Sequence, residues 1–151
     1  MFSVISVVFM PEPREVKEVN EIEEKTARLG PVRNYTDLIV YQQSYQLALR
    51  VSEMTRGFPR QEQYELGRQV RRCSRSVAAN IVEGWARRTS SAEFKRHLVI
   101  AAGEAAETKF WLDLAADEHI AQKKHCEQLK AEYAKLGMMI HNLWKEWRKL
   151  S

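Results

Sequence analysis

The sequence predicts an all-α protein, an antiparallel up-down-up-down four-helix bundle over residues 34–151, and three observations carry that prediction. Four segments repeat their apolar residues at alternating spacings of three and four, the period of a helix that buries one face. The links between these segments are short, as antiparallel neighbours require. No segment shows the period-two alternation of a half-buried strand.

The first predicted helix follows Thr36, a candidate N-cap, and places Leu38, Tyr41, Tyr45, Ala48 and Ser52 on its stripe. Gly57 and the Phe58-Pro59 pair end it, because proline removes a backbone donor and clashes with the preceding turn. The second carries Leu66, Val70, Cys73, Val77, Asn80 and Gly84 and ends near Arg87, before Thr89-Ser90-Ser91. Ser90 with Glu93 then has the spacing of a capping box.

The third helix reads Phe94, Leu98, Ala101, Ala105, Thr108, Leu112 and Ala115. The fourth reads Cys126, Leu129, Tyr133, Leu136, Ile140, Leu143, Trp147 and Leu150. A seven-residue repeat sustained on four helices favours shallow crossing angles. Ala101, Ala102, Gly103, Ala105 and Ala106 give the third helix a narrow face that admits another backbone closely. Phe110 and Trp111 lie about 100° apart on that helix, so Phe110, Trp111, Trp144 and Trp147 cannot share one core stripe, and some aromatic surface is left to face a partner.

Residues 1–33 are expected to form a mobile N-terminal extension. Their charged run from Glu15 to Arg28 has helical composition but little apolar surface to bury. Met1–Met10 is apolar, yet it lacks a basic leader and a cleavage site and falls short of the roughly 20 residues of a membrane span. It reads as neither signal nor anchor. Cys73 and Cys126 both fall on apolar stripes, which suits core thiols in a reducing, cytoplasmic setting better than a disulfide framework.

The formal charge of +4 is small, so its distribution matters more than its size. Residues 1–59 hold seven basic and eight acidic side chains, residues 60–88 seven and three, and residues 89–151 ten and nine. All seven cations of the middle segment are arginine, the side chain suited to bidentate recognition of phosphate or carboxylate. Arg68, Arg71, Arg72 and Arg75 fall at i, i+3, i+4 and i+7, opposite the Val70/Val77 stripe, and form a basic ridge. The ridge is open to three readings: a solvated face paired with nearby carboxylates, a phosphate contact, or a surface for an acidic protein.

Gln69, Ser76, Asn80 and Glu83 make a polar strip beside the apolar one. A structural hydrogen-bonded network, tied to neighbouring helices or to Arg87 and Arg88, is the expectation there, ahead of a catalytic cleft. Tyr64 is expected to pack against the loop after Phe58-Pro59 rather than to stack on a base.

His97, His119, His125 and His141 supply no Glu-x-x-His pair of the kind that holds metals in bundles. His119 and His125, near Asp117 and Glu118, read first as a polar turn. No glycine-rich phosphate loop and no nucleophile elbow are present. Neither an enzymatic role nor a cofactor is expected.

The set Phe58-Pro59, Glu62, Tyr64, Leu66, Gln69, Arg71-Arg72, Ser76, Asn80-Ile81-Val82-Glu83-Gly84, Arg87, Glu93-Phe94, Leu98, Ile100-Ala101, Gly103 and Glu107 resembles the four-helix-bundle family named after proteins encoded in intervening sequences of bacterial 23S ribosomal RNA. The similarity spans about Tyr35 to Leu150. It implies an antiparallel bundle that assembles into homo-oligomeric rings, typically pentamers, and it does not imply an enzyme. It also implies kinship with the accessory variability proteins of diversity-generating retroelements, which bind nucleic acid and a reverse transcriptase. On that resemblance Arg68, Arg71, Arg72, Arg75, Arg87 and Arg88 are the candidates for contact with RNA or DNA. Cys73 stands where the family usually has alanine, and Glu104 where it often has serine.

Overall fold

The computed structural model describes residues 14, 16–21 and 32–147. The chain divides into two compact units, residues 1–30 and 31–151. In the first unit the described residues are helical, with Arg14 and Glu18 paired at 3.7 Å. Met1–Met10, Pro11, Pro13 and most of the run from Glu15 to Arg28 lie outside the described residues, and with them most of the segment expected to be mobile.

The second unit is all helical among its described residues. A 3₁₀ turn, Tyr35–Asp37, leads into α1 (Ile39–Arg56), followed by the short α2 (Arg60–Tyr64), α3 (Leu66–Ala86), α4 (Ser91–Asp117) and α5 (Lys123–Glu146). Side-chain pairs between helices fix the arrangement. Arg71 and Arg75 of α3 bond Thr55 and Ser52 of α1. Arg72, Asn80 and Trp85 of α3 meet Glu107, His97 and Phe94 of α4. Asp113 and Phe94 of α4 meet Lys130 and Trp147 of α5. In each set one number rises as the other falls, so consecutive long helices run antiparallel. Glu132 pairs with Arg50 and closes α5 onto α1.

The stripes predicted for α4 and α5 are the buried faces. Phe94, Leu98, Ala101, Ala105, Thr108, Leu112 and Ala115 are buried on α4, and Cys126, Leu129, Tyr133, Leu136, Ile140 and Trp147 on the last helix and its cap. Leu143 is only half-buried, and Leu150 lies outside the described residues. Each large aliphatic or aromatic side chain buried this way stabilises the fold by about 1.5–3 kcal/mol. Trp85, Phe94 and Trp147 close one end of the core, with ring centroids 4.1–6.5 Å apart.

The prediction for α1 is out of phase. Of the predicted helical residues only Ala48 is buried; Tyr45 is 47% exposed, Tyr41 and Ser52 are half-buried, and the core stripe is Val40, Ser44, Leu47, Ala48, Val51, Met54 and Thr55. Leu38 is buried, but it sits before the helix in extended backbone (φ −72°, ψ 121°). Counting threes and fours from it therefore does not set the helical phase. Tyr35, Tyr41 and Tyr45 form a surface ladder, with centroids 4.9 and 5.9 Å apart.

Thr36 is not the cap. Asn34 caps the 3₁₀ turn in a box with Asp37, whose carboxylate accepts the Arg33 and Asn34 N–H groups and is held below its usual range by them. At α4, Ser90 Oγ accepts the Glu93 N–H at 3.3 Å. The reciprocal arm of the box is replaced: the Ser90 N–H donates to Arg87 O, and the Glu93 carboxylate turns to Arg96 and Arg87.

Two glycines mark close approaches. A Cβ at Gly84 would lie 2.8 Å from His97 Cβ and 3.0 Å from Phe94 Cδ2, so α3 and α4 touch there. A Cβ at Gly67 would lie 3.0 Å from Glu62 O and 2.9 Å from an Arg71 nitrogen, so the bare backbone lets α2 fold back on α3. Gly103, on the predicted narrow face, has open space around it.

Candidate nucleic-acid interface

α3 presents the arginine ridge, and its flanks are held by the helices on either side. Arg71 is half-buried and donates to Thr55 Oγ1 (3.0 Å) and Gln63 O (2.8 Å), stitching α1, α2 and α3 together. Arg72 turns the other way, to Glu107 Oε1 at 2.6 Å and Glu104 Oε2 at 3.7 Å on α4. The Glu107 hydrogen bond and charge hold its proton more firmly than usual. Glu107 also accepts the Trp111 indole N–H at 3.1 Å. Arg71 and Arg72 thus depart from the continuous outward ridge: each is fastened to a neighbour, since both lie where α3 meets another helix.

Arg68 and Arg75 occupy the crest. Both are exposed. Arg75 donates one bond, to Ser52 Oγ at 3.3 Å, and neither pairs with a carboxylate among the described residues. Seven residues separate them, about 10.5 Å along the helix. Arg60, at the start of α2, is exposed as well.

Arg87 and Arg88 follow the C-terminal end of α3, about 28 Å from Arg68 along the helix axis. Arg87 pairs with Glu83 Oε1 at 3.0 Å and reaches Glu93 at 3.9 Å. Arg88 lies over the Trp85 ring, 4.3 Å from its centroid, and donates to Trp85 O at 3.0 Å. A guanidinium stacked on an indole keeps its edge N–H groups available for an anion.

Three members of the polar strip form a network. Asn80 Nδ2 donates to Ser76 O (2.9 Å) and Ser76 Oγ (3.1 Å), and Asn80 Oδ1 faces His97 Nδ1 at 3.2 Å. His97 Nε2 lies 3.8 Å from Glu83 Oε1. Gln69 takes part in none of these bonds. The residue missing from the predicted strip is His97, only 3% exposed. Its place between Phe94 and Leu98, facing the Gly84 contact, was legible as an inward position on α4.

Tyr64 does not pack against the loop; it is 65% exposed, because α2 ends there and turns it outward. Phe110 (54% exposed) continues an outward stripe of α4 with Val99 (60% exposed), Gly103 and Ala106, while Trp111 is half-buried. Cys73 and Cys126 are free and buried, and burial raises both thiols above their ordinary range.

Among the described residues no group of three or more His, Cys, Asp or Glu side chains is placed to hold a metal ion. His119 takes a left-handed φ of 57° in the turn between α4 and α5. No helix among the described residues is long and apolar enough to cross a membrane.

The family model of the 23S rRNA-intervening sequence protein matches residues 36–142. A solved structure of a protein of unknown function from the S23 ribosomal protein family of Bacteroides thetaiotaomicron VPI-5482 is similar to the chain. The similarity has a TM-score of 0.65 at 25% identity, over 71% of this chain and 99% of that one. No curated protein matches.

Proposed function

This chain belongs to the 23S rRNA-intervening sequence protein family, and on that premise we propose that it acts without catalysis, as a self-assembling bundle that binds nucleic acid through the arginine face of α3. The observation that carries the reading is the crest: Arg68 and Arg75 are exposed, without a carboxylate partner among the described residues, in a segment whose cations are all arginine. Arg60, Arg87 and Arg88 add exposed arginines at either end of α3. Such a surface reads backbone charge and shape rather than bases, and a ring would repeat it around the symmetry axis, raising affinity through linked weak contacts. The biological setting would be a ribonucleoprotein or a retroelement with its reverse transcriptase.

The test is a salt titration of binding to generic single-stranded RNA and duplex DNA, after light scattering has given the mass in solution. Tight binding by a ring-sized species that weakens steeply with salt is the expected result. No binding at low salt sinks the reading.

A second reading, a protein-interaction scaffold that uses its basic face to form the oligomer or to meet an acidic partner, draws support from Arg72 and Arg87. Both guanidinium groups already meet carboxylates. The apolar stripe of Val99, Gly103, Ala106 and Phe110 adds a surface suited to protein contact. On that reading, glutamates on the crest disperse the oligomer in sedimentation.

A further inference from the structure

One carboxylate oxygen in the polar strip has two claimants. Asn80 Nδ2 is committed to Ser76, which turns its Oδ1 towards His97 Nδ1, an arrangement satisfied when that ring nitrogen carries the hydrogen. In the neutral imidazole the lone pair is then on Nε2, which is buried and has no hydrogen bond. What Nε2 faces, at 3.8 Å, is Glu83 Oε1, another acceptor. The same oxygen accepts from Arg87 at 3.0 Å.

Among the described residues, the charged groups on the helices that meet at this end of the bundle are as follows. On α3 they are Glu83 and Arg87, since Arg88 is turned to Trp85. On α4 they are Glu93, shared by Arg87 and Arg96, and Lys95, which sits over Trp144. On α5 they are His141, stacked on Trp144, exposed Lys145, and half-buried Glu146.

We propose that His97 is a proton-operated latch on Arg87. With the imidazole neutral, Glu83 stays with Arg87 and occupies the guanidinium. A proton taken from solvent turns Nε2 into a donor aimed at Glu83 Oε1, and both ring nitrogens are then satisfied, one by Asn80 and one by Glu83. A charge-assisted bond with one partner buried outcompetes an exposed i,i+4 pair. Glu83 moves towards the ring, and Arg87 keeps only the longer 3.9 Å contact with Glu93, which opens its guanidinium edge to a phosphate. The ligand of the released arginine rests on the nucleic-acid reading above; the latch itself does not.

The test follows the His97 ring and the Arg87 Nε–Hε signals by NMR on the full chain across about pH 8 to 5, the range in which histidine changes charge. Salt titrations of binding to single-stranded RNA and duplex DNA are run at both ends of that range. Glu83→Gln is the comparison, because Glu83 is half exposed and its replacement leaves the core intact. The Arg87 signal is expected to shift with the His97 midpoint in the wild type and not in E83Q. Binding to RNA gains one contact at the acid end, steepening the log–log salt slope by about 0.7, and E83Q keeps the steeper slope at both ends. The other histidines are unchanged in E83Q and so cannot produce the difference. An Arg87 signal that stays still while His97 titrates, or a His97 ring that does not titrate in this range, overturns the latch. Coupled NMR signals without binding to single-stranded RNA or duplex DNA at either pH sustain the latch and refute the nucleic-acid reading alone.

Discussion

Replacing both crest arginines with glutamate (R68E/R75E) separates a ligand surface from a structural one. Neither side chain holds a carboxylate among the described residues, and Arg75 makes one 3.3 Å bond to Ser52, so the stability change stays within about 0.5 kcal/mol. On single-stranded RNA each phosphate contact contributes about 0.7 to the log–log salt slope, so losing two flattens it by about 1.4. Over a fourfold rise in salt the wild type then loses about sevenfold more affinity than the variant. Arg72→Glu makes the opposite case. It places a third carboxylate against Glu104 and Glu107 and costs about 1–2 kcal/mol in stability, a figure already discounted for the exposure of the pair. Urea unfolding measures the stabilities, fluorescence anisotropy the slopes, and light scattering the mass. An R68E/R75E protein with unchanged fold, mass and salt slope would show that the crest touches no phosphate.

Two further outcomes follow from the interior. Gly84→Ala drives a methyl to 2.8 Å from His97 Cβ. The overpacking, about 1–3 kcal/mol, exceeds the gain of about 1 kcal/mol in helix propensity, so the variant unfolds at lower urea. Gly103→Ala meets open space and stabilises by about 0.5–1 kcal/mol; equal effects at the two sites would refute the close approach of α3 and α4. Tyr133 is buried with its hydroxyl beside Ser74 but without a hydrogen bond of proper geometry, and burial pushes its ionisation far above the ordinary value. Above about pH 10 the unfolded chain ionises this tyrosine and the folded one does not. Its contribution to stability is therefore full below that pH and lost as pH rises, with Cys73 and Cys126 acting in the same direction from about pH 8.5. Tyr133→Phe makes the alkaline decline shallower in urea unfolding; an unchanged decline contradicts the assignment.

The parts of this fold that were legible in advance share one property: many apolar residues repeat on a single long helix. Phe94 to Ala115 spans six turns of α4, and one misplaced residue cannot move so long a stripe. α1 failed because its phase was counted from Leu38, which is buried yet lies outside the helix. Two tyrosines that look like core residues by composition proved to be one half-buried and one exposed, with their rings tilted against each other. The arginine run was legible as part of α3, but its division into fastened and free members was not. That depends on Thr55, Gln63 and Glu107, which come from α1, the loop side of α2, and α4.

Hydrophobic period and breakers are local properties of the chain, so the sequence by itself determined an all-α fold, where its long helices break, and that its excess charge is arginine gathered between residues 60 and 88. Pairing is not local. Which guanidinium groups are already held, which histidine completes the Ser76–Asn80–Glu83 network, and where Gly84 lets two backbones touch depend on residues up to 35 positions apart. Only the tertiary structure decided those, because an arginine's availability to a partner is set by what the neighbouring helix brings within hydrogen-bonding distance.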